Sequence, residues 1–265
     1  MKNAVDIQDI TCSYQHVDVL KKMSFKVDPG EFFIIIGPNG SGKTTLVKTI
    51  CGFLTPRCGA IFLLNRPHGD YNKRKLAKII AYVPQVSAGG FPFTVMELVL
   101  MGRAPYLGIL GVEGGKEIKI ARGALDFTGI AHLADRRITR LSGGEFQRVM
   151  IARAICQESE IMVLDEPTAA LDLAHQIRIM DLMEKLRCEK GVTIIMVSHD
   201  INLSAMYADR MLLLKNGKMV KLGQPRDVIT EDLLKEAYGC TILLDQNPVG
   251  PFPRINLLPG DIMSK

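Results

Sequence analysis

One glycine-rich segment constrains this chain of 265 residues more than any other: Gly37-Pro38-Asn39-Gly40-Ser41-Gly42-Lys43-Thr44-Thr45. It follows the apolar run Phe32–Ile36, which predicts a buried strand, and it leads into a helix that begins at Lys43. Glycines let successive backbone N–H groups turn inward around an anion, and the N-terminus of a helix adds its positive dipole. An ordinary glycine-rich turn is the alternative, but it needs neither the strand nor the helix. The segment therefore predicts a phosphate-binding loop for a nucleotide, in which Lys43 contacts the β- and γ-phosphates and the Thr44 hydroxyl ligates Mg²⁺.

The composition predicts an ordinary soluble globular protein, with 47% hydrophobic and 23% charged residues. The net charge is only +5, and no Lys/Arg run is long enough for a nucleic-acid arm, so we expect no nucleic-acid partner. No apolar run approaches the roughly 18 residues that a membrane helix requires, and the first residues do not resemble a signal peptide. The six cysteines are scattered, which predicts buried free thiols rather than disulfides or zinc ligands.

The order of apolar patterns predicts an α/β fold. Residues 5–27 alternate as in strands with one exposed face, whereas residues 161–164 and 192–197 are apolar throughout, as in buried parallel strands. Residues 88–157 show helical spacing instead. We therefore expect a mainly parallel sheet, an N-terminal antiparallel subdomain and an inserted helical subdomain. In this division residues 1–87 and 158–239 form the nucleotide-binding core of a single domain, 88–157 the helical subdomain, and 240–265 a C-terminal tail.

Cap and turn residues predict further local structure. Asp172 predicts the N-cap of a helix from about Leu173 to Lys190, which Gly191 ends. Asn216-Gly217 lies between two apolar runs and predicts a type I′ hairpin turn. The tail beyond Gly239 is rich in Pro and Gly and follows no clear pattern of strand or helix.

A carboxylate pair, Asp165-Glu166, ends the apolar run at residues 161–164. Hydrolysis of a Mg²⁺-bound triphosphate needs a carboxylate for the metal and a group that activates water. We assign Asp165 to Mg²⁺ and Glu166 to the attacking water. The alternative for an Asp-Glu pair after a strand is a simple helix cap, and the upstream phosphate loop argues against it.

A second loop of small residues, Leu141-Ser142-Gly143-Gly144-Glu145-Phe146-Gln147-Arg148, precedes a predicted helix. Its Ser and Glu are spaced as in a capping box, and its free N–H groups predict a second phosphate contact. Two such helix starts on one chain indicate that each serves a different nucleotide. A pairing of two copies then brings the loop at Gly37 against Ser142 of the partner subunit.

Residues 141–148 closely resemble the signature of the ATP-binding-cassette (ABC) family, and the resemblance extends over essentially the whole chain. It implies that Tyr14 stacks on adenine, that Gln85 links Mg²⁺ and water to a membrane partner, and that His199 contacts the γ-phosphate. It also implies that Ser142, Gly143, Gly144 and Asp172 act across a dimer. Taken singly, each of these residues has an ordinary packing or solvent role as its alternative. Ala170 departs from the pattern, since many members have Ser there, which puts one hydroxyl contact across the dimer in doubt.

A narrower resemblance is to the ATPases of importers for iron–siderophores, haem and cobalamin. It rests on Phe93-Thr94-Val95 leading to Met101-Gly102-Arg103-Ala104-Pro105-Tyr106. The Pro-rich tail around residues 247–254 is similar too, and Tyr106 replaces a His of many relatives. The alternative for Arg103 is a solvated side chain at a helix end. The resemblance implies integral permease subunits, indirectly a substrate-binding protein, and a peripheral location on the cytoplasmic face of the inner membrane.

Two other classes share the nucleotide motifs. A soluble ABC ATPase of iron–sulfur cluster assembly differs only in its partner and is the main alternative. DNA-repair and chromosome-organising ATPases carry long coiled coils between the two halves of the site, for which the interval from Thr45 to Leu141 is too short. Translation-factor cassettes carry two such domains, whereas this chain has one.

Overall fold

The computed structural model describes residues 3–14, 17–85, 92–107, 114–169, 171–248 and 250–257. In these ranges the strands are β1 (Val5–Tyr14), β2 (Val17–Val27), β3 (Phe32–Ile36), β4 (Cys58–Leu63), β5 (Arg66–Pro67), β6 (Ile80–Val83), β7 (Ile161–Asp165), β8 (Thr193–Val197), β9 (Arg210–Lys215), β10 (Lys218–Gly223), β11 (Ile242–Gln246) and β12 (Pro253–Leu257). The α-helices are α1 (Lys43–Ile50), α2 (Lys73–Ile79), α3 (Val95–Leu100), α4 (Gly115–Phe127), α5 (Gly143–Cys156), α6 (Leu173–Lys190), α7 (Ile201–Tyr207), α8 (Pro225–Val228) and α9 (Glu231–Tyr238).

The chain divides into two compact units. The first comprises Met1–His68 and Thr193–Lys265, and the second comprises Gly69–Val192. The division at residues 88, 158 and 240 stays a prediction about functional segments.

An antiparallel sheet in the first unit has the strand order β2-β1-β4-β5. Val5 of β1 pairs with Val27 of β2 on one side and with Leu63 of β4 on the other. The C-terminal half of β2 alternates buried and exposed residues, because one face of the strand packs on the core while the other meets water. The predicted N-terminal antiparallel subdomain is confirmed.

The first unit also holds the sheet strands β10-β9-β3-β8, in that order. All five residues of β3 are buried, and β3 pairs in parallel with β8 and β9. Such fully apolar strands are typical of parallel sheets that are covered on both faces. Asn216 and Gly217 join β9 to β10 with φ values of +50° and +75°, as the predicted type I′ turn requires.

In the second unit β6 pairs in parallel with β7, so the mainly parallel character of the sheet is confirmed. Helices α3, α4 and α5 pack on one another, which confirms the predicted helical region. Asp172 caps α6 by accepting a hydrogen bond from the backbone N–H of His175, and Gly191 ends this helix in a left-handed conformation, both as predicted.

Within the predicted C-terminal tail, β11 and β12 pair as an antiparallel hairpin. The prediction for the cysteines was half wrong. All six lie in the described ranges and none forms a disulfide bond, but only Cys12, Cys51 and Cys156 are buried, whereas Cys58, Cys188 and Cys240 are exposed. These three lie at a strand start, in the last turn of α6 and just after α9, where solvent reaches the chain. No helix in the described ranges is long and apolar enough to cross a bilayer.

Candidate functional site

The loop between β3 and α1 has the backbone of an anion cradle. Gly37, Gly40 and Gly42 have φ values of +149°, +74° and +104°. These values are strained for residues with a side chain. At Gly37 a Cβ would also lie 2.3 Å from the backbone oxygen of Leu214, so glycine is required there for space as well. The backbone of residues 37–42 therefore favours glycine at all three positions and has no room for a side chain at Gly37.

The polar groups of this loop fit a phosphate. Helix α1 begins after Gly42, with no side chain capping its N-terminus and no acidic residue in its first turn, so its N–H groups suit an anion. The Ser41 hydroxyl is buried and has no hydrogen-bond partner among the described residues. Lys43 is buried, and its Nζ donates to the backbone oxygens of Gly37 at 2.9 Å and Pro38 at 3.1 Å. This ammonium thus lies on the rim of the cradle.

The other predicted residues of the loop differ in their exposure to solvent. Asn39 is exposed, Thr45 is buried, and Thr44 is half-buried at the start of α1. A threonine hydroxyl at this position is a suitable oxygen ligand for Mg²⁺.

The predicted residue His199 lies at the same edge of the first unit's parallel strands as the loop. β3 and β8 are parallel neighbours, so their carboxyl ends meet at one edge, and the backbone N–H of Ser198 donates to Ile35 at 3.1 Å. His199 comes next and is exposed. Tyr14 ends β1, and its side chain lies outside the part of the chain that the structure describes.

The carboxylate pair lies in the second unit, at the carboxyl ends of β6 and β7. Gln85 follows β6 and donates a hydrogen bond from Nε2 to Glu166 Oε2 at 2.7 Å. Asp165 is buried, and its Oδ2 accepts a hydrogen bond from the Tyr82 hydroxyl at 3.3 Å. Glu166 has a φ of +53°, an uncommon value for a residue with a side chain. The structure thus brings Gln85 and Glu166 together, two residues that sequence analysis assigned separately.

A carboxylate such as Asp165 is a suitable ligand for Mg²⁺. The described residues hold no group of three His, Cys, Asp or Glu side chains placed for a metal ion. Mg²⁺ in nucleotide sites is commonly held by one or two protein oxygens together with substrate phosphates. The residues present therefore fit such an ion better than a cage built wholly of protein ligands.

The second predicted phosphate contact is the N-terminus of α5. Ser142 Oγ accepts from the backbone N–H of Glu145 at 3.3 Å, and Glu145 Oε2 accepts from the backbone N–H of Ser142 at 2.7 Å. The expected capping box is therefore present. These hydrogen bonds hold the pKa of Glu145 below its ordinary value. Gly143 and Gly144 form the first turn of the helix, which leaves the N–H group of Gly143 available for an anion.

Comparison with known protein families decides the identity. The family model described as ABC transporter matches residues 20–169, which include the loop at Gly37, the segment at Ser142 and the carboxylate pair. The chain belongs to the ABC transporter family. The recognition and the fold class predicted from sequence are confirmed.

Curated members of the ABC family match along most of their length. The hemin import ATP-binding protein HmuV of Gloeobacter violaceus is 39% identical over 237 residues, covering 87% of this chain and 85% of that protein. The ferric enterobactin transport ATP-binding protein FepC of Escherichia coli is 35% identical over 248 residues, covering 94% of this chain and 92% of that protein. ABC subunits of this kind are ATPases, so the predicted enzyme class, an ATP hydrolase, is confirmed as well.

Solved structures of ABC proteins share the fold. A metal-chelate type ABC transporter in an inward-facing conformation superposes with a TM-score of 0.87 at 29% identity, covering 99% of this chain and all of that chain. A dimeric ATP-binding cassette in a post-hydrolysis state, bound to ADP and Pi, superposes with a TM-score of 0.73 at 31% identity, covering 83% of this chain and 98% of that chain.

Arg103 is buried, so the alternative of a solvated side chain at a helix end is wrong for this residue. Its side chain is only 2% exposed. NH1 donates to the backbone oxygen of Cys156 at 2.7 Å and to Glu158 at 2.8 Å, and the guanidinium carbon lies 4.0 Å from the centre of the Tyr106 ring. Arg103 therefore anchors the segment after α3 to the C-terminal end of α5.

Three residues near the predicted site residues were not predicted from the sequence: Tyr82, His175 and Tyr238. His175 bonds Asp172, and the spacing of three residues from a helix cap is a signal that could have indicated it. Tyr238 ends α9 beside the Gly37 backbone. Burial raises the pKa of Tyr238 to about 12. Its hydroxyl is buried and has no hydrogen-bond partner among the described residues. No local pattern links Tyr238 or Tyr82 to the site.

Proposed function

We propose that this chain is the ATP-hydrolysing subunit of an importer for a metal chelate, namely an iron–siderophore, haem or cobalamin. The observation that carries the proposal is the similarity to import ATP-binding proteins for hemin and ferric enterobactin along most of both chains. The alternative, iron–sulfur cluster assembly, shares the nucleotide motifs. The names of these relatives favour transport over it.

In the first unit, the loop of residues 37–45 holds the phosphates of ATP. Its backbone N–H groups and the N-terminus of α1 bind the anion, and Lys43 exchanges its two backbone oxygens for phosphate oxygens. His199 contacts the γ-phosphate, and Tyr14 stacks on adenine. These roles follow from the ABC resemblance together with the placement of the loop and His199 at one edge of the parallel strands.

In the second unit, Glu166 acts as the general base that takes a proton from the attacking water. The hydrogen bond from Gln85 orients the Glu166 carboxylate, and at the same time it couples the base to the segment that follows β6. Thr44, Asp165 and Gln85 are the residues that would hold Mg²⁺, and the ion would supply neutralisation of the charge that develops on the phosphate oxygens.

We further propose that two copies close around two ATP molecules, with Ser142, Gly143, Gly144 and Asp172 of each copy acting on the nucleotide of the other. The dimeric cassette bound to ADP and Pi supports this arrangement for a related protein. Closure then drives two integral permease subunits at the cytoplasmic face of the inner membrane. A substrate-binding protein delivers the chelate, and no nucleic acid takes part.

Purification from native membranes tests the proposal. The chain, solubilised in mild detergent, should copurify with an integral permease, and its ATPase activity should rise when the permease is reconstituted with its binding protein and chelate. Recovery only from the soluble fraction, together with iron–sulfur assembly proteins, would favour the alternative.

A further inference from the structure

Gly144 lies where a larger residue would clash, and its backbone conformation is not the reason. Its φ lies outside the left-handed region, so an L-residue could adopt the same conformation. A Cβ at this position, however, would lie 2.5 Å from Cδ2, 3.0 Å from Nε2 and 3.1 Å from Cγ of His175. At Gly143 a Cβ would meet nothing within 4 Å. The requirement for glycine at position 144 therefore comes from the imidazole ring of His175.

The opposite edge of the same ring is also held. His175 Nδ1 lies 2.8 Å and 2.9 Å from the two carboxylate oxygens of Asp172, and the backbone N–H of His175 donates to Asp172 at 2.8 Å. These backbone and side-chain hydrogen bonds hold the pKa of Asp172 below its ordinary value. The carboxylate is thus ionised at neutral pH, and it fixes the ring with Nδ1 towards Asp172 and the edge of Cδ2 and Nε2 towards Gly144.

We propose that His175 is a positioning residue that locks Asp172 and the N-terminus of α5 into one rigid body. The proposal rests on the proposed function, in which Gly144 and Asp172 both act on the nucleotide of the second copy. His175 touches neither ATP nor metal in this account. It keeps the distance between two contact points constant, so that one closing motion aligns both.

The rigidity of an imidazole ring suits it to hold Asp172 and the N-terminus of α5 at a fixed separation. An imidazole is flat and rigid, and here its Nδ1 contacts both oxygens of one carboxylate, while the backbone N–H of the same residue donates to that carboxylate. A long flexible side chain at position 175 would lose more rotamer entropy and define the separation less well. Placement errors of about 1 Å at a reacting centre can cost on the order of 100-fold in rate, so such a support is consequential.

A thermal unfolding cycle on the full chain tests the contact itself. We expect Gly144→Ala to lower Tm by about 3–8 °C, because overpacking of this kind strains its surroundings. In a His175→Ala background the same change should cost less than half of that shift. Gly143→Ala is the matched control for stability, and its Tm should not fall. Additive shifts in the two backgrounds, or a Gly144→Ala protein as stable as the wild type, would overturn the contact.

Nucleotide binding and turnover test the positioning role. His175→Ala should reduce kcat for ATP hydrolysis by about 10-fold or more, whereas the Kd for ATP of the loop at residues 37–45 should stay within about twofold. His175→Asn retains an N–H donor for Asp172 but lacks the ring edge, and it should fall between the two proteins. Wild-type kcat in His175→Ala, or a parallel loss of kcat, ATP affinity and Tm, would overturn the proposal. If the wild-type chain does not hydrolyse ATP, the proposed function fails, while the unfolding cycle still reports on the contact.

Discussion

Replacing Glu166 by Gln isolates the chemistry of one carboxylate from its geometry. Glu166 follows β7 and accepts a hydrogen bond of 2.7 Å from Gln85 Nε2. The amide oxygen of a glutamine has nearly the same reach and can still accept that bond. The variant should therefore keep its fold, its contact with Gln85 and its affinity for ATP. What it loses is the ability to take a proton from water.

The expected decrease in the rate of hydrolysis equals the contribution of general-base assistance. General-base assistance contributes about 10²–10⁴-fold in rate, which corresponds to roughly 2.7–5.4 kcal/mol in the barrier. Gln85→Ala leaves the base in place but removes its hydrogen bond, which is worth about 1.5–3 kcal/mol to a charged acceptor, together with a proposed ligand of Mg²⁺. Its hydrolysis should slow as well, but with a shifted dependence on Mg²⁺ concentration that Glu166→Gln does not show.

The assay is phosphate release at saturating Mg·ATP, combined with equilibrium binding of a fluorescent ATP analogue. Glu160→Gln is the matched control, because Glu160 is an exposed carboxylate directly before the other end of β7. Its turnover should equal that of the wild type. Turnover by Glu166→Gln within about twofold of the wild type would refute the role of Glu166 as the base. A Glu166→Gln chain that stays monomeric at saturating Mg·ATP, with native permease supplied, would refute the shared pocket.

Three further predictions concern the loop, a buried cation and a buried phenol. Lys43→Ala should raise the Kd for ATP by about 10–150-fold and slow hydrolysis as well, since charged hydrogen bonds contribute roughly 1.5–3 kcal/mol; an unchanged nucleotide titration would contradict this. Glu158→Ala should lower the free energy of unfolding by about 1–3 kcal/mol in urea titrations, because the buried Arg103 guanidinium then lacks its carboxylate partner. The effect should be smaller than for a fully buried pair because Glu158 is half-exposed, and an unshifted urea midpoint would count against it. Burial raises the pKa of Tyr238 to about 12 from an ordinary 10, so its stabilising contribution is complete below pH 10 and is lost as the pH rises through 12. Tyr238→Phe should therefore flatten the loss of Tm between about pH 10 and pH 12, and identical alkaline profiles would contradict the assignment.

Sequence by itself determined the local features. The phosphate loop, the capping box at Ser142, the cap at Asp172 and the turn at Asn216-Gly217 are all present as predicted. Each depends on residues within about four positions, through glycine conformations or hydrogen bonds from a side chain to nearby backbone. Chain neighbours are fixed by covalent connection, so these structures can be inferred before any packing is known.

Only the tertiary structure decided which distant side chains meet. Gln85 and Glu166 are separated by 81 positions, and their hydrogen bond exists because β6 and β7 are parallel neighbours that end at one edge. The burial of Arg103 and the contact of His175 with Gly144 likewise depend on which faces of the helices pack together. Such contacts involve surfaces far apart in the chain, and the spacing of residues within one segment carries no record of them.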